Sequence, residues 1–264
     1  MTEAPGKPAD NLTRALAGPV CPLCSGAGSV VGEKNGVPLR ACTCAGAGVL
    51  LCWGWESPAE YEAQYAELDY HENTVKLQGL PPIAERFVEH CEAARCRIHW
   101  LLDHGFGFQP NQVSLLDIGA GNGALVAVAE RKYRWRAVGI EPSRAMCEIA
   151  WEHRGIPFIH GTWDRMAAWW DVVTATDVIE HLLEPAAFLE RCAEHTRRVY
   201  LETPDWPGGD PAAWEHNRHI RTREHPCLWS ESAILELARR AGWEPQEVYR
   251  PIPGKLGMLL ESLG

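Results

Sequence analysis

A chain of 264 residues is long enough to bury a full core, as one large domain or one domain with a small appendage. With 46% hydrophobic and 23% charged residues it has a globular composition, which excludes disordered, collagen-like and coiled-coil classes. The formal charge of −10 sets up a field that repels phosphate backbones and argues against non-specific nucleic-acid binding.

No apolar run approaches the roughly 20 residues that a bilayer crossing requires. The Pro/Ala/Gly-rich stretch 1–20 reads as a flexible tail with no charged head before an apolar segment, so a cytoplasmic location is expected. Residues 21–52 hold six Gly and five Cys but little that builds a core, and such a segment needs a staple. Cys21-Pro22-Leu23-Cys24 and Cys42-Thr43-Cys44 can each supply two thiolates from a tight turn to a tetrahedral zinc ion. Cys52 could replace one ligand, and unliganded thiols in a loop are the alternative. Four sulfurs leave no open position, so the expected role is structural.

From 81 to 104, Ile83, Phe87, Cys91, Ala94, Ile98, Leu101 and Leu102 fall at helical spacing, with Pro at the start and Gly105 beyond the end. Apolar strands then alternate with amphipathic helices. The strands are expected at 113–118, 136–141, 157–160, 171–176 and 198–202, and the helices near 123–132, 143–153, 185–195 and 230–241. This alternation predicts an α/β fold, a parallel sheet covered on both faces. The end of the chain reads as two strands joined at Pro253-Gly254.

The first strand of that series runs into Asp117-Ile118-Gly119-Ala120-Gly121-Asn122-Gly123 and then a helix. Glycines let a ligand approach the backbone, and a helix start offers free N–H donors. Glu141 ends the next strand, where an acid can accept both ribose hydroxyls. The spacing Gly119-x-Gly121-x-x-Ala124 also satisfies a relaxed dinucleotide fingerprint. A pyrophosphate needs an uncharged loop, however, and Asp117 puts an anion there, which suits the cationic amino-acid end of S-adenosylmethionine.

Over residues 81–264 the sequence resembles the class I S-adenosylmethionine-dependent methyltransferases. The loop 117–123 matches their first motif, Glu141 their ribose-binding acid, and Asp171 through Leu182 (DVVTATDVIEHL) their fourth motif. The resemblance implies a Rossmann-like, seven-stranded, mostly parallel sheet closed by an antiparallel C-terminal hairpin. It puts Asp117, Gly119, Ala120, Gly121, Gly123, Glu141, Pro142 and Asp177 at the cofactor, with Thr162, Trp163 and Asp164 at its adenine. Many relatives carry an acid where this chain has Thr162, so the adenine-amine contact shifts toward Asp164. Residues 21–60 look like the zinc module that precedes some methyltransferases acting on deoxysugar nucleotides, leaving 61–264 as the methyltransferase domain. An aromatic and acidic stretch follows, from Trp53-Gly54-Trp55-Glu56 to Tyr61, Tyr65 and Tyr70, and the comparison places Tyr65 or Tyr70 against an acceptor sugar.

Methyl transfer is an in-line displacement that needs alignment and a base for the acceptor's proton. His181 falls just beyond the carboxyl end of the fourth strand, where ligands collect in open α/β sheets; a buried structural histidine is the alternative. The stretch 214–225 is dense in His and Arg, so Arg218, Arg221 and Arg223 are candidates to clamp an acceptor anion, against the reading of a solvated loop. In the sugar-modifying relatives a Glu-His dyad sits in this loop, which by resemblance falls on Glu224-His225, with Glu224 orienting His225. A tyrosine two positions before their dyad is Thr222 here, and the long C-terminal domain of C-methylating members is missing. Asp177-x-x-Glu180-His181 with a later histidine is also similar to the divalent-metal pattern of small-RNA 2′-O-methyltransferases, although the net charge argues against RNA.

The expected function is methylation of a sugar, sugar nucleotide, glycan or natural-product hydroxyl, with a structural zinc. Two other classes remain: a nicotinamide oxidoreductase, for which roughly 60 residues after the fifth strand cannot supply a substrate domain, and a non-catalytic zinc-ribbon binding protein with a degenerate methyltransferase domain.

Overall fold

The computed structural model describes residues 20–46, 48–52, 57–64, 85–104, 112–208 and 219–264. Residues 1–19 of the tail, Trp53, Trp55, Glu56, Tyr65, Tyr70 and Arg218 lie outside the described residues.

The N-terminal segment forms β1 (Ser29–Lys34), β2 (Val37–Cys42) and β3 (Val49–Cys52), then a six-residue helix α1 (Pro58–Ala63). The remainder runs α2 (Phe87–Asp103), β4 (Ser114–Ile118), α3 (Ala124–Tyr133), β5 (Arg136–Glu141), α4 (Arg144–Arg154), β6 (Phe158–His160), β7 (Val172–Thr176), α5 (Pro185–Ala193), β8 (Arg198–Pro204), β9 (Cys227–Trp229), α6 (Glu231–Arg240), β10 (Trp243–Tyr249) and β11 (Lys255–Ser262). Among the described residues the main sheet has seven strands in the order β10-β11-β8-β7-β4-β5-β6. β4 pairs in parallel with β5 and β7, while β11 runs antiparallel to both β8 and β10. The expected α/β, mostly parallel sheet with a reversed hairpin is therefore the fold observed.

Every residue of β4 is buried, as a central parallel strand covered on both faces requires. α3 buries Ala124 through Ala129, a run in which three alanines are interspersed with Leu125, Val126 and Val128. α2 starts at Phe87, inside the expected 81–104 span, and Arg86 at its N-cap makes no side-chain cap. It docks through Arg97, whose Nε and Nη2 donate to the two carboxylate oxygens of Glu202 at 2.8 and 2.6 Å. Glu202 is buried in β8, so this fork-to-fork pair ties α2 to the sheet.

β9 belongs to a second, four-stranded sheet of order β1-β2-β3-β9. Leu50 of β3 faces Leu228, and Leu51 faces Cys227. The two sheets share one core: Leu23, Val49 and Leu51 pack in the same cluster as Trp229, Ile234, Leu237 and Trp243. The cysteine-rich segment thus obtains from α6 and β9 the apolar material it lacks on its own. Ser232 Oγ donates to the Ala45 carbonyl at 3.0 Å, and the Arg240 guanidinium donates to that of Leu23. No helix among the described residues is long and apolar enough to cross a membrane.

Candidate active site

The loop between β4 and α3 turns because Gly119, Gly121 and Gly123 have φ values of 66°, 52° and 79°, which other residues rarely adopt. The amides of Gly119 and Ala120 both donate to the Ile140 carbonyl, at 2.9 and 3.1 Å, which binds the loop to β5. A Cβ at Gly119 would lie 2.6 Å from Val178 Cγ2, whereas one at Gly121 would meet nothing within 4 Å. The crest of the loop therefore faces open space, and a ligand can reach its backbone.

Glu141, at the tip of β5, is buried, and its two oxygens accept from Gly121 N and Ser143 N, each at 2.8 Å. The two amides hold the carboxylate rigid beside the glycine loop. Pro142 follows directly, its carbonyl 3.0 Å from His160 Nε2. Asp117, at the tip of β4, accepts from the Thr174 hydroxyl at 2.7 Å, and burial pushes its carboxyl up to about 7. The negative charge expected at this position is thus poised near neutrality. These features fit a nucleoside with a cationic amino-acid arm.

At the rim of β6, Trp163 and Asp164 lie in a short 3₁₀ turn, Trp163–Arg165. Thr162 donates its hydroxyl to Asp164, and the Trp163 ring is half-buried with its edge on Phe188. Asp177 has a φ of 56° at the end of β7, and its carboxylate pairs with Lys255 of β11.

His181 and His225 meet with ring centroids 4.5 Å apart. His181 Nδ1 lies 2.8 Å from the Glu224 carbonyl, and His225 Nδ1 lies 2.7 Å from that of His219. A carbonyl can only accept, so each ring carries its proton on Nδ1 and its lone pair on Nε2. Burial pushes the His181 imidazolium down to about 4 and that of His225 well below its usual value. Both rings are neutral at physiological pH.

Beside them Glu180 is fully buried. Its Oε2 accepts from Thr203 Oγ1 at 3.0 Å, while Oε1 has no hydrogen-bond partner among the described residues. Burial, reinforced by the Asp177 charge, pushes its carboxyl up to about 8. One ligand atom from each of Glu180, His181 and His225 falls within 4.8 Å of the others.

The expectation that Glu224 orients His225 requires correction. The Glu224 carboxylate takes Arg221 Nη1 at 2.7 Å, and the carbonyl of His219 takes His225 Nδ1. Glu224 instead acts through its own carbonyl, on His181. Arg221 is committed to that ion pair, and Arg223 is exposed. Sequence reasoning missed Asn122, whose Nδ2 reaches His90 Nδ1 of α2 at 2.9 Å, and assigned no role to Tyr61, whose hydroxyl lies 2.6 Å from the His181 carbonyl; Glu180, raised there only within a divalent-metal pattern, stands beside the two histidines.

Cys21, Cys24, Cys42 and Cys44 stand together, with Sγ separations of 3.6 Å for Cys21–Cys44 and 3.4 Å for Cys24–Cys42. A tetrahedral ion with bonds of ~2.3 Å gives sulfur–sulfur edges of about 3.8 Å, so the four fit it with small adjustments. Cys52 is buried in a separate cluster with Leu39, Leu50 and Trp206.

Residues 87–248 match the family model described as a methyltransferase domain. No curated protein matches the chain in sequence. Among solved structures, magnesium protoporphyrin IX methyltransferase from Synechocystis PCC 6803 with bound SAH is similar at 15% identity and a TM-score of 0.54, over 77% of this chain and 93% of that one. A methyltransferase from Thermotoga maritima, described as a possible histamine N-methyltransferase, is similar at 15% identity and a TM-score of 0.51, over 77% of this chain and 100% of that one. At such identity these two likenesses speak for the fold.

Proposed function

The chain belongs to the S-adenosylmethionine-dependent methyltransferases, and from that premise we propose that its acceptor is a hydroxyl of a polar small molecule: a sugar, sugar nucleotide, glycan or natural-product intermediate. Bound at the glycine loop, S-adenosylmethionine supplies an electrophilic methyl group. Asp117 and the backbone of Gly119 to Gly123 hold its amino-acid end, Glu141 its ribose, and Trp163 with Asp164 its adenine. The observation that carries the acceptor reading is the pair of neutral imidazoles converging beyond the end of β7. In the Nδ1–H tautomer Nε2 is the basic atom to which an acceptor hydroxyl can pass its proton, and the exposed Arg223 carries positive charge two residues before His225, whereas that of Arg221 is matched by Glu224. We further propose that Cys21, Cys24, Cys42 and Cys44 bind zinc in a structural role.

Screening nucleotide sugars and glycans with a labelled methyl donor tests this reading. One acceptor class is expected to take label, and His225→Ala is expected to slow its methylation by about 10²-fold, with the affinity for S-adenosylhomocysteine unchanged. Unchanged turnover in that variant would remove the histidines from the proposal.

Asp117 predicts a pH dependence. Its carboxyl titrates near 7, and a cationic amino group prefers the ionised form. Protons therefore compete with the ligand, and affinity for S-adenosylhomocysteine should rise as pH increases from 6 to 8. Asp117→Asn should weaken binding at pH 8 and flatten this rise in calorimetric titrations.

The Oε1 of Glu180, without a hydrogen-bond partner among the described residues, favours a second reading, in which Glu180, His181 and His225 hold a divalent cation that binds neighbouring acceptor hydroxyls. Under it, a chelator abolishes turnover and added Mg²⁺ or Mn²⁺ restores it; under the first reading, turnover survives chelation that leaves the cysteine site loaded.

A further inference from the structure

The carbonyls on either side of His225 are both held from the N-terminal part of the chain. The Glu224 carbonyl accepts from the Tyr61 hydroxyl at 2.8 Å, and the Pro226 carbonyl accepts from Cys52 N, at the end of β3, at 2.9 Å. The same Tyr61 hydroxyl lies 2.6 Å from the carbonyl of His181. One phenol therefore touches both segments that carry the paired imidazoles. The Glu224 carbonyl is the hub, because His181 Nδ1 also donates to it.

Tyr61 is buried at 2% exposure, although it sits on a helix of only six residues. A helix that short is not stable alone. Ser57 caps it by accepting from Glu60 N at 3.2 Å, and the buried Tyr61 side chain anchors it against the rest of the fold. β3, which ends five residues short of α1, is the strand that pairs with β9, and β9 begins two residues after His225.

We propose that Tyr61 is a positioning residue for methyl transfer: its hydroxyl sets the spacing of the segments bearing His181 and His225, and with β3 it makes the cysteine-rich lobe the frame on which the Glu224-His225 loop is registered. The inference rests on the reading of the two histidines as the acceptor-side groups.

The test uses the full, zinc-loaded chain labelled with ¹⁵N-histidine, as wild type, Tyr61→Phe and Ser57→Ala. In wild type both His181 and His225 should give the Nδ1–H tautomer, with slow exchange of that proton. Tyr61→Phe keeps the ring and removes the hydroxyl. It is expected to shift both signals and speed their proton exchange, while His160 and His195, held by other carbonyls, stay in place. Ser57→Ala loosens α1 without touching the phenol and should move the same two signals less. Once an acceptor is known, Tyr61→Phe should lower kcat on the order of 10²-fold with the KM for S-adenosylmethionine unchanged. The proposal is overturned if the His181 and His225 signals of Tyr61→Phe match wild type, or if all histidines shift together, which marks general loosening. A wild-type protein that fails to bind S-adenosylhomocysteine in a separate calorimetric titration would sink the methyl-transfer reading, and the histidine spectra would still report on Tyr61.

Discussion

Replacing Cys24 with serine is expected to destabilise the whole protein by several kcal/mol, since structural zinc contributes on the order of 10 kcal/mol to the folding of small domains that cannot fold without it. The effect should spread beyond the lobe because Cys21 and Cys42 pack in the same core as Trp229, Ile234 and Trp243. Burial and the neighbouring sulfurs push the Cys44 thiol far up, so without an ion it stays protonated, and zinc binding must displace that proton. Elemental analysis should find one zinc per wild-type chain and less in Cys24→Ser. The thermal midpoint should fall together with the metal content. A metal-free wild type that melts at the temperature of the zinc-loaded protein would show the cysteines to be ordinary thiols.

Truncating Glu141 to alanine should weaken binding of S-adenosylhomocysteine on the order of 10³-fold. The substitution leaves the amides of Gly121 and Ser143 without their acceptor in a buried place, each a charge-assisted bond worth about 1.5–3 kcal/mol, and removes the ribose contacts as well. Because those amides tie the glycine loop to the start of α4, the loop itself should relax. Glu141→Gln keeps the volume and one acceptor oxygen, so it should fall between wild type and Glu141→Ala. An alanine variant with affinity within threefold of wild type would show that the carboxylate is a structural brace and nothing more.

The parallel strands of the main sheet were legible because each is a short apolar run separated from the next by a helix-length segment. The expected 113–118 and 171–176 became Ser114–Ile118 and Val172–Thr176. The glycine loop and Glu141 were legible for a related reason, since a strand-to-helix turn with positive φ constrains residue type locally. β9 was not. Cys227-Leu228-Trp229 has no alternation, and it is a strand only because β3, far away in sequence, runs beside it. The same pairing explains how a core-poor N-terminal segment buries all of Val49–Cys52. The partners of the two histidines were invisible because they are backbone carbonyls, of Glu224 and His219, which leave no mark on the residue pattern. An adjacent Glu-His pair invites a side-chain reading, and here the turn sends the Glu224 carboxylate to Arg221.

Calorimetric titration of the full chain with S-adenosylhomocysteine and, separately, with NAD bears most directly on the carboxylates of Asp117 and Glu141 flanking the open glycine loop. Saturable binding of the first at one molecule per chain, and no heat from the second, is the predicted result. Saturable binding of NAD with none of S-adenosylhomocysteine would contradict it.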